Sequence, residues 1–93
     1  AQALKKIVAI AKEFDLFLIA DEIYINITYN GARAYSLAEF IEDVPGISMK
    51  GISKELPWPG ARCGWMEYYN RDKDADFNRL CNALDNAKMI EVC

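Results

Sequence analysis

The chain has 93 residues, of which 53% are apolar, with 11 basic and 14 acidic side chains and a net charge of −3. That length suits one small domain, which buries only about 60–65% of the surface its unfolded form exposes, and the acidic balance argues against nucleic acid, whose phosphates need clustered positive charge. Histidine is absent, so Ser-His-Asp and Cys-His catalysis and histidine-ligated metal sites have no place in these residues.

Leu4, Ile7, Val8, Ala11 and Phe14 recur at three- and four-residue steps, opposite Lys5, Lys6, Lys12 and Glu13. This spacing predicts an amphipathic helix of about four turns. Asp15 breaks it. Leu16-Phe17-Leu18-Ile19-Ala20 is a continuous apolar run, the pattern of a strand buried on both faces in a parallel sheet covered by helices. Helix and buried strand joined so closely make half of a βαβ unit. Asn30-Gly31 marks a turn. Ser36-Leu37-Ala38-Glu39 matches a capping box, so a short helix should start there and end at Pro45-Gly46.

Ile47 to Ser53 reads as a second strand. The Pro-rich link 55–60 is too short for a helical crossover, so the run from Arg62 to Tyr69 should return antiparallel to it. Asn70-Arg71-Asp72 reads as a loop, and a last helix carries Phe77, Leu80, Cys81, Leu84 and Ala87 on one face. The expected fold is α/β, part of a mostly parallel sheet with flanking helices and one antiparallel edge strand. Ala1 is not a start methionine, and Cys93 falls inside a helical pattern, so residues 1–93 are expected to be the central part of a larger domain. No apolar run approaches the length of a membrane span, and no signal segment precedes the first helix. Cys63, Cys81 and Cys93 have neither zinc-pair nor Cys-x-x-Cys spacing and read as reduced packing thiols of a cytoplasmic protein.

Four side chains fall at or just past the ends of the predicted strands: Asp21, Tyr24, Lys54 and Arg62. In open α/β sheets ligands bind in that crevice. Each has a plain reading when taken alone. Asp21 caps the next segment or is solvated, Tyr24 is a half-buried ring, and Lys54 and Arg62 are surface cations. Taken together, a carboxylate, a phenol, an amine and a fixed cation are the groups that hold an anionic, electron-withdrawing aldehyde cofactor.

Asp21-Glu22-Ile23-Tyr24 after a buried strand, then Ser53-Lys54, then Pro59-Gly60-Ala61-Arg62-Cys63-Gly64-Trp65, resembles the large domain of fold type I pyridoxal-phosphate aminotransferases (class I/II, the aspartate aminotransferase superfamily). The resemblance covers essentially the whole chain, and the lysine and arginine stand eight residues apart around a Pro-Gly as they do in that family. It implies that Lys54 binds pyridoxal 5'-phosphate as a Schiff base, Asp21 pairs with the ring nitrogen, Tyr24 bonds the phenolic oxygen and Arg62 grips the phosphate. Lys54, Asp21 and Tyr24 would be the catalytic groups. Many members carry a hydroxyl three residues before the lysine, where this chain has Gly51. Ser53 is a candidate replacement as phosphate ligand, although an extended strand would turn its side chain to the other face. Glu22, Trp58 and Trp65 read as structural.

The implied activity is amino-group transfer between an amino acid and a 2-oxo acid, in a cytoplasmic homodimer without nucleic-acid or membrane partners. A C–S lyase, synthase or decarboxylase of the same fold would keep the same four residues. So would a transcription regulator with an aminotransferase-like domain, and an interaction module without cofactor is a third class. The family's glycine-containing phosphate turn, ring-stacking aromatic, asparagine near the ring oxygen and substrate-carboxylate arginine lie outside these residues, so the segment alone is expected to be inactive.

Overall fold

The computed structural model describes residues 1–88; Cys93 lies outside the described residues. In chain order it has helix α1 (Gln2–Glu13), strand β1 (Leu18–Asp21), strand β2 (Gly46–Gly51), the one-turn helix α2 (Ile52–Glu55), strand β3 (Gly64–Tyr69) and helix α3 (Ala75–Lys88). Single 3₁₀ turns occupy Leu37–Glu39, Pro59–Ala61 and Arg71–Lys73.

The sheet is mixed, with β2 in the middle. β1 runs parallel to β2, from Leu18 opposite Gly46 to Asp21 opposite Met49. β3 runs antiparallel to β2, from Gly46 opposite Tyr69 to Gly51 opposite Gly64. Strand side chains alternate between faces, and each face carries its own core. Val8 and Ala11 of α1 pack with Leu37, Ile41 and Val44 on one side, joined by Leu18, Ala20 and Tyr69. Ile47 packs with Phe77 and Cys81 of α3 on the other, joined by Met49, Met66 and Tyr68.

Local chemistry sets the element ends. Asp15 terminates α1 in the left-handed region (φ 53°), and the Leu16 N–H donates to the Ala11 carbonyl at 2.8 Å, a Schellman closure in which an aspartate takes the usual glycine place. The capping box forms as its spacing predicts: Ser36 Oγ accepts from the Ala38 N–H, and Glu39 Oε1 accepts from the Ser36 N–H. Asp74 Oδ1 accepts from the Phe77 N–H at 2.6 Å and caps α3.

Several expectations need correction. β1 is not buried on both faces: it is an outer strand of the described sheet, and Leu16, Phe17 and Ile19 remain 52%, 46% and 57% exposed, although the Phe17 ring meets Phe77 of α3 at 5.4 Å. The capping box opens a single 3₁₀ turn that stops at Glu39, well before Pro45, and Pro45 leads directly into β2. β2 ends at Gly51, not Ser53, and the chain coils into α2. Gly51 and Gly64 face each other where the two strands converge. A Cβ on Gly64 would stand 2.9 Å from the Lys50 carbonyl oxygen, and one on Gly51 would stand 3.1 Å from that of Cys63. Arg62 precedes β3 instead of starting it. It ends the Pro59–Ala61 turn in the left-handed region, at φ 48° and ψ 42°. Asn70 is also left-handed, and the residues after it form a 3₁₀ turn instead of an open loop.

Candidate active site

Because β1 and β2 are parallel and β3 returns, the carboxyl ends of β1 and β2 and the amino end of β3 share one edge of the sheet. Asp21 is the last residue of β1, Lys54 follows β2 within three residues, and Arg62 precedes β3 by two. The chain path thus brings the carboxylate of Asp21 to the same edge as an amine and a guanidinium more than thirty residues later.

Asp21 is exposed, and its Oδ1 accepts from the Ile23 N–H at 3.2 Å, so it also caps the turn that follows. Two consecutive turns then carry the chain outward: Ile25 N–H donates to the Glu22 carbonyl at 3.1 Å and Ile27 N–H to the Tyr24 carbonyl at 3.0 Å. Tyr24 sits in the second of these turns, 60% exposed. Lys54 projects from α2, and its Nζ lies 5.8 Å from the centre of the Tyr24 ring. Ser53, beside it, is half-buried and helical, so strand alternation does not direct its side chain away from the edge. The Arg62 Nη1 donates to the Pro59 carbonyl at 3.2 Å, closing the turn on which the residue stands.

Behind this edge lies a polar network for which the sequence gives no spacing signal. Glu22 is only 8% exposed. Its carboxylate accepts from the Leu37 N–H at 2.6 Å and from the Ser36 hydroxyl at 3.1 and 3.0 Å, with Lys50 Nζ at 3.8 Å. Lys50 also pairs with Glu67 at 2.8 Å, and Tyr69 donates to the same Glu67 oxygen at 2.7 Å. The hydrogen bond from Lys50, followed by that from Tyr69, holds the Glu67 carboxyl below its ordinary range, and the bond to Glu67 raises the Lys50 ammonium. Burial is the main cause of the upward shift of the Tyr69 phenol. Glu22 is structural, as the sequence suggests: it ties the end of β1 to the start of the Leu37 turn. Asn26 and Glu55 also meet, with Asn26 donating to both oxygens of the Glu55 carboxylate.

A cavity of about 600 Å³ opens next to this network, bordered by Asn26, Lys50, Glu55, Trp65 and Glu67. Asp21, Tyr24, Lys54 and Arg62 do not line it. The charged groups on its wall are engaged, Arg33 with Glu39, Lys50 with Glu67 and Glu55 with Asn26. Among the described residues no group of histidine, cysteine or acidic side chains is arranged to hold a metal ion. No described helix is long and apolar enough to cross a membrane.

The chemistry of the donor set fits pyridoxal phosphate. The sheet edge and the turn beside it carry an amine, a carboxylate, a guanidinium and a phenol, groups that would suit an aldehyde, a ring nitrogen, a phosphate and a ring oxygen.

The family model for aminotransferase class I and II matches residues 1–91. An uncharacterized aminotransferase of Methanocaldococcus jannaschii is 59% identical over 90 residues, which cover 97% of this chain and 21% of that protein. A tyrosine aminotransferase of Dictyostelium discoideum is 36% identical over 90 residues, covering 97% and 19%. The solved structure of an alanine aminotransferase from Pyrococcus furiosus superimposes with a TM-score of 0.83 at 34% identity, over 99% of this chain and 23% of that one. The chain therefore spans about a fifth of the length of the relatives it matches.

Proposed function

Since the chain belongs to the class I and II aminotransferases, we propose that the whole protein moves an amino group between an amino acid and a 2-oxo acid, with pyridoxal phosphate held at the strand-end cluster. The observation that carries this reading is the shared sheet edge of Asp21, Lys54 and Arg62, with Lys54 Nζ 5.8 Å from the Tyr24 ring. When bound, pyridoxal phosphate supplies an electron sink for the pair left as the substrate's α C–H bond breaks.

The residues of this chain do the rest. Lys54 would anchor the cofactor through its ε-amine, and its Nζ, once free, would take up the substrate's α-proton. The Asp21 carboxylate would keep a proton on the cofactor's ring nitrogen. The Tyr24 hydroxyl would donate to the ring's phenolic oxygen. Arg62 suits the phosphate because its planar fork makes paired charge-assisted bonds. Ser53 Oγ is the candidate second phosphate contact. In the same reading the protein works as a cytoplasmic homodimer. The exposure of all four side chains supports a composite site, because added surface, from the same protein or a second copy, must exclude water from them.

The test is borohydride reduction of the full-length protein followed by peptide mapping. A label on Lys54 is expected. Lys50 is the internal control, since its ammonium is engaged by Glu67 and Glu22. A label there, or none at all, overturns the assignment.

A further inference from the structure

Asn26 and Glu55 stand 29 residues apart, yet they join the two stretches that carry Tyr24 and Lys54. The Asn26 backbone N–H donates to Glu55 Oε1 at 3.0 Å, and its side-chain Nδ2 donates to Oε2 at 2.8 Å. One carboxylate thus takes two hydrogens from one residue, a two-point grip that fixes orientation as well as distance. Each end of the grip is stiffly connected to a candidate group. Tyr24 and Asn26 share the turn closed by the Ile27 N–H on the Tyr24 carbonyl at 3.0 Å. Glu55 and Lys54 share α2, whose first carbonyl, that of Ile52, accepts from the Trp58 N–H at 3.3 Å. Pairing between β1 and β2 runs out at Asp21 and Met49, with the Glu22 N–H on the Met49 carbonyl just beyond. Past that point the clasp ties the Tyr24 turn to α2.

We propose that the Asn26–Glu55 clasp is the positioning device of the site: it sets the separation of the Tyr24 hydroxyl and the Lys54 amine, and with it their alignment on a bound cofactor. The proposal rests on the reading of Tyr24 and Lys54 as cofactor contacts. Asn26 and Glu55 act through those two residues, not on the reacting atoms.

The test uses the full-length protein. Glu55→Ala removes both hydrogen bonds, Asn26→Ala and Glu55→Gln each retain one, and the double alanine variant completes a cycle. In the cofactor-free protein, Glu55→Ala should quicken hydrogen exchange at the amides of residues 24–28 on the order of tenfold, with the amides of β2 and β3 unchanged. In the loaded protein its visible circular-dichroism band should shrink, and kcat should fall on the order of ten- to a hundredfold, with substrate KM held within about twofold. The one-bond variants should fall between, and the double variant should be no worse than Glu55→Ala, because the two residues act as one unit. An unaltered dichroism band and kcat in Glu55→Ala overturn the proposal. So does an exchange increase spread evenly over the sheet, which marks a plain stability contact. An unsubstituted protein that carries no cofactor on Lys54 removes the underlying reading instead, and the exchange measurement then still decides whether the clasp holds the Tyr24 turn.

Discussion

Glu22→Ala should destabilise the protein by about 3 kcal/mol, a large share of the roughly 5–15 kcal/mol typical of a folded domain. The carboxylate it removes accepts from the Leu37 N–H at 2.6 Å and the Ser36 hydroxyl at 3.0 Å, within a residue only 8% exposed. Hydrogen bonds to a charged group contribute about 1.5–3 kcal/mol each, and the Leu37 amide, in a buried residue, is left without its acceptor. Relief from burying a charge offsets part of that loss, which brings two such bonds down to about 3 kcal/mol. Lys50, at 3.8 Å, adds little, because Glu67 satisfies it independently at 2.8 Å. Glu22→Gln should cost about half as much, since it keeps one oxygen for the Leu37 amide. Urea unfolding of the full-length protein, followed by tryptophan fluorescence, measures both. A loss below about 1 kcal/mol for the alanine variant, or equal losses for the two variants, refutes the reasoning.

Asp21→Asn should retain the cofactor yet lower kcat on the order of a thousandfold, because a neutral amide does not hold a proton on the ring nitrogen; near-normal turnover would place Asp21 elsewhere. The Lys50–Glu67 pair sets a pH window. Glu67 is held down mainly by its hydrogen bond from Lys50, so its stabilisation is present above the ordinary carboxylate range and fades as pH falls through that lowered value. Lys50 is raised mainly by Glu67, so its share is full below the usual lysine range and fades only as pH rises past it. Urea midpoints recorded against pH should therefore lose part of their acid-side slope in Glu67→Gln. Tyr68 is pushed up to about 12 by burial and by its bond to Asp85, so folding favours the protonated phenol, and stability falls as pH rises from 10.0 toward that value. Ultraviolet difference titration of the protein with and without Tyr68→Phe reads it directly. Gly64→Ala should cost about 1–3 kcal/mol, because its Cβ meets the Lys50 carbonyl oxygen at 2.9 Å, whereas Gly60→Ala, with nothing within 4 Å, should be tolerated; thermal midpoints separate the two.

Elements governed by local chemistry were legible in the sequence. The α1 periodicity, the Asp15 stop and the Ser36–Glu39 box depend on neighbours within a few residues, and they form as their spacing predicts. The antiparallel return of β3 was legible too, because six residues cannot build a crossover between parallel strands. What the sequence hid depends on distant partners. The apolar run at Leu16–Ala20 calls for cover, yet it carries no information about which surface supplies it. The end of β2 was misplaced by two residues because the close approach of Gly51 and Gly64 is a property of both strands, not of either one. The placement of Asp21, Lys54 and Arg62 at one end of the sheet was legible from the strand order. The carboxylate contacts behind that end were not, since no periodicity links residue 22 to 37, 26 to 55 or 50 to 67.

Arg62 holds a left-handed backbone that few side chains accept without cost. Asp15, Asn30 and Asn70 share that region, but their short polar side chains tolerate it; an arginine there carries a penalty of about 1 kcal/mol that a glycine would not. The side chain gives some of that back, because its Nη1 donates to the Pro59 carbonyl at 3.2 Å and closes the turn on which the residue stands. A glycine at position 62 would relieve the backbone and give up that bond, so the direction of the guanidinium and the twist of the chain beneath it are set together.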